Sequence, residues 1–252
     1  MTETGPAIRV EGLRKLYGGK AAVDGLSLSV PRGCFFGFLG PNGAGKTTTI
    51  KMLMGLAPPS SGSMEMLGYT LPAGDLEIKA RIGLVPDETL LFEHLTGEEF
   101  LEFTGRMYRL PRIVARERAR ELMALFQLDD APRKLIGEYS KGMRKRVAMA
   151  AAMIHKPELF LLDEPFEGVD AVGARLMKDL LLEQVARGAT VFLTSHVLEV
   201  VERLCERVAI IDHGKLVVEG AMSELRSGAE TLEDIFVRVV GVERHSGGLE
   251  WL

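Results

Sequence analysis

The segment Gly40-Pro41-Asn42-Gly43-Ala44-Gly45-Lys46-Thr47 narrows the choice of folds more than any other stretch of the chain. It matches G-x-x-x-x-G-K-[ST], and it stands between an almost wholly apolar run, Cys34 to Leu39, and a segment whose Ile50, Met52, Leu53 and Met54 suit a helix closed by Gly55 and Pro58-Pro59. Strand, glycine loop and helix in that order make a cradle for phosphate. Glycines let the backbone wrap closely, and the amides and helix amino terminus supply positive potential. Lys46 neutralises the outer phosphate oxygens, and Thr47, followed by Thr48, can ligate Mg²⁺. A chance glycine-rich turn is the alternative, and the flanking elements argue against it.

A second motif supports the first. Leu159-Phe160-Leu161-Leu162 is an apolar strand ending in Asp163-Glu164. Beside a phosphate loop, the first carboxylate would hold the metal and the second would orient an attacking water. Alone, the pair could be a solvated acidic turn. Strand patterns at Ile8–Val10, Leu26–Val30, Thr190–Thr194 and Arg207–Ile211 alternate with helical ones at Ala171–Arg187 and Val197–Leu204, and His213-Gly214 reads as a hairpin turn. Such alternation predicts an α/β fold with a mostly parallel sheet covered by helices on both faces. Between Asp87 and Ala152 the strand pattern stops, with breaks near Pro111, Pro132 and Gly137. The chain therefore divides into a core, 1–86 and 153–252, and an inserted helical subdomain, 87–152. A last helix is predicted over Thr231–Val240.

Composition sets the outer limits. With 252 residues, 46% hydrophobic and 26% charged, the chain can bury a core of its own, which excludes disordered and fibrous classes. Its longest apolar runs, such as Val147–Ile154, fall short of the roughly 20 residues that cross a bilayer. The start, with Glu3, Arg9 and Glu11, lacks the pattern of a signal peptide, so a cytosolic chain is expected. Cys34 and Cys205 read as packed thiols. A net charge of -4 offers no global field for nucleic acid, and none is expected as a partner.

Ser140-Lys141-Gly142, at the start of a helix shortly before the Leu159 strand, resembles the signature motif of ATP-binding cassette (ABC) nucleotide-binding domains. The resemblance covers nearly the whole chain. Tyr17 is similar to the aromatic that stacks on adenine, Gly168-Val169-Asp170 to the D-loop, and Thr194-Ser195-His196 to the switch histidine at a strand end. Plainer roles stay open for each: Tyr17 as a packed aromatic, Ser140 and Asp170 as helix caps, His196 as a structural histidine. The resemblance implies a P-loop NTPase (RecA-like) core with an N-terminal antiparallel β region. It also implies ATP and Mg²⁺ as cofactors. Two nucleotides would be sandwiched between residues 40–48 of one chain and Ser140, Gly142 and Asp170 of a second copy or a paralogue. Lys46 and His196 would meet phosphate and Glu164 the water, while Thr47 and Asp163 would hold the metal.

Two departures and two further features complete the reading. The family's glutamine after Val85-Pro86 is Asp87, an oxygen ligand for the metal that adds charge; the usual Leu-Ser-Gly-Gly-Gln reads Tyr139-Ser140-Lys141-Gly142-Met143, so lysine stands for the first glycine. Asp87, Glu88, Glu93, Glu98, Glu99 and Glu102, with no Lys or Arg between positions 87 and 103, could be a solvated face or could receive a basic coupling helix of a membrane subunit. Finally, Thr231-Leu232-Glu233-Asp234-Ile235-Phe236 resembles the export branch, whose ATPases serve separate multi-span permeases from the cytoplasmic face of the membrane. The expected function is thus ATP-driven export, the alternative a soluble ABC ATPase acting in translation or DNA repair.

Overall fold

Side chains alternate across a strand, so a strand buried at every residue must be covered on both faces. In the computed structural model, which describes residues 5–89, 91–129, 133–226 and 230–241, this is the state of the run that ends in the glycine loop. To number elements in chain order: β1 (Ile8–Tyr17), β2 (Lys20–Val30), β3 (Phe35–Leu39), α1 (Lys46–Leu53), β4 (Ser61–Met66), β5 (Tyr69–Thr70), α2 (Asp75–Lys79) and β6 (Ile82–Val85) come first. Three helices follow, α3 (Gly97–Met107), α4 (Arg112–Leu125) and α5 (Lys141–Met153), with one 3₁₀ turn at Ile136–Glu138. The chain then returns through β7 (Leu159–Asp163), α6 (Ala171–Ala186), β8 (Thr190–Ser195), α7 (Leu198–Leu204), β9 (Arg207–Asp212), β10 (Lys215–Ala221), the short α8 (Met222–Leu225) and α9 (Leu232–Val240).

The main sheet has the order β10-β9-β3-β8-β7-β6, parallel except for the edge pair β10–β9. Its alternating side chains feed two cores. Phe36, Phe38, Leu159, Leu161, Phe192 and Ile211 point to α1 and to a second, antiparallel sheet of order β2-β1-β4-β5. Phe35, Leu39, Phe160, Leu162, Val191 and Leu193 point the other way, into the core built with helices α3, α5, α6, α7 and α9. The β1–β2 hairpin turns through Gly18 and Gly19, both at positive φ, as a two-residue turn with right-handed strands requires.

The elements expected over 171–240 are all present, with ends moved by a residue or two; the break expected near Pro132 and the residue Glu3 lie outside the described residues. Five elements escape the sequence pattern: β4, β5, α2, β6 and α8. Ser61-Gly62-Ser63 reads as turn chemistry yet pairs with β1, and β6 is four residues long with a glycine inside. That glycine is required by packing, because a Cβ on Gly83 would lie 2.5 Å from the Ala152 carbonyl of α5. Strands β6 and β7 are neighbours in the sheet, so the whole helical stretch between them is one long crossover. No helix among the described residues is long and apolar enough to cross a membrane.

Helix α7 lies so close to the central strand that a Cβ on Gly37 would stand 2.5 Å from Val201 Cγ1, a β-branched side chain with one helical rotamer. Gly37→Ala is expected to cost about 1–3 kcal/mol by overpacking, read as a lower urea midpoint with unchanged m-value.

Candidate functional site

Helix α1 begins at Lys46, so the lysine and threonines of the glycine loop form its first turn. Gly45 precedes it at φ 109 and offers no side-chain cap, which leaves the first amides of the helix turned toward the loop. Only glycine fits there: a Cβ on Gly45 would meet the Ala22 carbonyl at 2.4 Å, and one on Gly40 the Ile211 carbonyl at 2.3 Å. Lys46 is buried and folds back over the loop, donating to the carbonyls of Gly40 at 2.8 Å and Pro41 at 3.1 Å. Burial draws its pKa down, while the charges of Glu164 and Asp163 draw it back up.

Strands β7 and β8 end beside this loop because β8 lies between β3 and β7. Asp163, the last residue of β7, is 2% exposed and accepts a short hydrogen bond from the hydroxyl of Thr194 on β8. Glu164 follows at φ 46, a left-handed conformation for a non-glycine residue. It is held there by its backbone N–H, which reaches the Thr194 carbonyl at 3.2 Å and the Thr194 hydroxyl at 3.3 Å. Its Oε2 lies 3.0 Å from His196 Nδ1, just past the end of β8. Burial raises the Glu164 pKa, against the opposing pull of His196 and Lys46.

Asn42, Gly43, Gly45, Lys46, Thr47, Thr48, Asp87, Asp163, Glu164, Glu167 and His196, with Ala22, surround one cavity of about 500 Å³. The other expected site residues stand apart from its wall. Gly40, Pro41 and Ala44 shape the loop from behind, and Tyr17 is half exposed at the tip of the β1–β2 hairpin, with Lys15 Nζ 5.0 Å from its ring centre. Ser140 caps α5 through the amide of Met143 at 3.2 Å, and Asp170 caps α6 through that of Gly173 at 2.9 Å, so both plainer roles are present. Gly142 sits close under Gly168, where a Cβ would be 3.1 Å from the carbonyl. Ser140–Gly142 and Gly168–Asp170 therefore lie side by side, next to the cavity wall where Lys141 pairs with Glu167.

Two residues gain a place that the sequence pattern did not suggest. Thr194 is fully buried and bonds to both carboxylate-bearing residues, a link visible only once β7 and β8 are known to be adjacent. Lys145, although it stands in the basic run Lys141, Arg144, Lys145 and Arg146, is 1% exposed; it donates to the carbonyls of Asp87 at 2.7 Å and Pro86 at 3.2 Å, and burial lowers its pKa. The acidic run is also changed by folding. Glu93 pairs with Arg144 at 2.9 Å, Glu98 with Arg120 at 2.9 Å and Glu102 with Arg112 at 3.4 Å, while Glu99 closes the capping box of α3 with Thr96. Much of the charge expected to attract a basic helix is thus offset within the chain. Cys34 and Cys205 are free and buried, as expected of packed thiols, and burial pushes the Cys34 thiol up to about 11.

The donors at the cavity fit a small hard cation. Thr47 and Asp163 offer only oxygen, and among the described residues no cluster of three or more His, Cys, Asp or Glu is placed to hold an ion alone. Mg²⁺ is commonly bound in this way, by one or two protein oxygens together with phosphate and water.

Residues 23–167 match the ABC transporter family. An uncharacterized ABC transporter ATP-binding protein of Nostoc is 45% identical over 83% of this chain and 63% of its own length. The daunorubicin resistance ATP-binding protein DrrA3 of Streptomyces coeruleorubidus is 42% identical over 96% of this chain and 75% of its own. A Nod factor export ATP-binding protein I of Ralstonia nicotianae is 40% identical over 87% and 68%. A solved ATP-binding subunit of an ABC transporter superposes with a TM-score of 0.87 at 29% identity, covering 92% of this chain and 99% of that one. The chain belongs to the ABC transporter family, among its ATP-binding proteins. It spans from 63% to 75% of the length of these curated relatives.

Thr194→Val keeps the shape of the side chain and removes both hydroxyl bonds. It is expected to destabilise the fold by about 1–3 kcal/mol, the cost of leaving a buried group unpaired. ATP turnover is expected to fall about 10–100-fold, as for other outer-shell partners of catalytic groups. Thermal unfolding and a phosphate-release assay measure the two.

Proposed function

We propose that this chain is the ATP-hydrolysing subunit of an ABC exporter, powering a separate multi-span permease from the cytoplasmic face of the membrane as a head-to-tail dimer. One observation carries the reading. Lys46, Thr47, Asp163, Glu164 and His196 converge on one cavity, while Ser140, Lys141 and Asp170 are exposed outside it. A nucleotide held by the first group leaves its terminal phosphate open on one side, and the exposed α5 amino terminus, a site suited to anions, is what a second copy can bring.

Each residue then has a task. Lys46 leaves the loop carbonyls for the β and γ oxygens. Thr47 and Asp163, with Asp87 nearby, would hold Mg²⁺, which when bound offsets phosphate charge and fixes its oxygens. The Glu164 carboxylate accepts a hydrogen bond from the attacking water and takes its proton, because Thr194 and His196 aim it. With His196 Nδ1–H donated to Glu164, Nε2 would donate to the terminal phosphate when the ring carries both protons. Tyr17, at the hairpin tip, would lie along adenine. Contacts to the γ-phosphate made only in the closed dimer supply the differential affinity that drives closure, and hydrolysis removes it.

An apolar groove of about 630 Å³, lined by Ile50, Met54, Leu56, Leu91, Phe100 and Tyr108 among others, lies between α1 and α3 and would receive the permease. Its lining and the internally paired glutamates favour a docking segment that is apolar rather than chiefly basic. The relatives named for drug resistance and Nod factor export support export over translation or DNA repair.

Glu164→Gln is expected to cut turnover by about 10²–10⁴-fold, the usual contribution of a positioned base, while MgATP still binds and the variant elutes as a dimer. Tagged and trapped this way in native membranes, it should co-purify with a protein of several spans; recovery of only soluble partners would overturn the transport reading. Since burial raises the Glu164 pKa and the carboxylate form is the active one, turnover should fall as pH drops. The midpoint should lie above the ordinary glutamate value and should vanish in Glu164→Gln.

A further inference from the structure

The cavity wall carries four carboxylates, Asp87, Asp163, Glu164 and Glu167, against one lysine, Lys46. A polyanion does not enter such a ring unless part of the charge is offset. Two cations on α5, one turn apart, stand behind the two outer acids. Lys141 Nζ is 2.6 Å from Glu167 Oε1 on the surface, its stem lying over Gly168. Lys145 is buried, and besides its bonds to the carbonyls of Pro86 and Asp87 its Nζ stands 3.9 Å from Asp87 Oδ1. An ammonium is costly to bury without a partner charge, and an acid is costly beside phosphate; each residue answers the other's cost.

We propose that Lys145 is a positioning residue for the nucleotide site: from α5 it anchors the Pro86–Asp87 segment and offsets the Asp87 carboxylate, so that an acid can stand where phosphate and metal bind. The proposal rests on the reading of this cavity as the ATP site. It links the helical crossover to the cavity through one buried cation, in a chain that has aspartate where the family resemblance calls for an uncharged amide.

The test is the affinity for a fluorescent trinitrophenyl-ATP, in EDTA and in Mg²⁺, of wild type, Lys145→Met, Asp87→Asn and the double variant. Lys145→Met leaves Asp87 unbalanced and should weaken binding about tenfold; adding Asp87→Asn should restore it to within about threefold. A purely structural lysine predicts no such rescue, because its carbonyl partners are untouched by Asp87→Asn. Asp87→Asn alone, at a largely exposed side chain, should tighten binding in EDTA about three- to tenfold. If Lys145→Met does not fold, this single variant decides. A double variant as weak as Lys145→Met, or an Asp87→Asn affinity in EDTA equal to wild type, overturns the proposal. A wild type that binds no nucleotide overturns the reading of the cavity and the proposal with it.

Discussion

A buried ammonium facing one buried and one partly buried carboxylate is the constraint around which the molecule is arranged. Lys46 opens α1, Asp163 ends β7 and Glu164 follows it; burial lowers the pKa of Lys46 and raises that of Glu164, and their mutual charges oppose both shifts. Such a group is tolerated only where every member has a partner: Lys46 the loop carbonyls, Asp163 the Thr194 hydroxyl, Glu164 the Thr194 backbone and His196. The positive φ of Glu164 is part of that arrangement, since it turns the side chain of the residue after a buried strand back toward the loop.

Sheet topology keeps these segments in place. With β3 central, β8 and β9 on its flanks and β7 next to β8, the carboxyl ends of three strands open onto one crevice, where ligands of parallel sheets bind. Both faces of the sheet are covered, so the strand ends have little freedom to shift. Gly40, Gly45 and Gly83 mark where another backbone approaches too closely for any side chain, and Gly37 where the Val201 side chain does. The helical crossover meets the site through β6, through Lys145, which donates to the Asp87 carbonyl, and through Lys141, which pairs with Glu167.

In the proposed dimer, the site of one chain is half a site. Ser140, Gly142, Gly168 and Asp170 lie together, and Lys141, where the resemblance has a glycine, braces them by pairing with Glu167 on the wall of the chain's own cavity. Its ammonium is exposed, on the helix terminus that a partner's phosphate would meet in the proposed dimer.

How much of this was legible beforehand follows from the range of the interactions. The glycine loop, the Asp163-Glu164 pair, the apolar strands and the helix caps at Ser140 and Asp170 are local, each needing only its neighbours in the chain, and the sequence alone determined them. The pairing of β4, β5 and β6 was not legible, because those strands are short or polar and owe their state to partners such as β1 and β7. Thr194, Lys145 and the internal pairing of Glu93, Glu98 and Glu102 were hidden for the same reason. A threonine in a strand or a lysine in a basic run shows nothing in sequence of the carboxylate it will meet 31 or 58 residues away. Only the tertiary structure decided those meetings, since charge and hydrogen-bond partners act across space while sequence patterns record what is near along the chain.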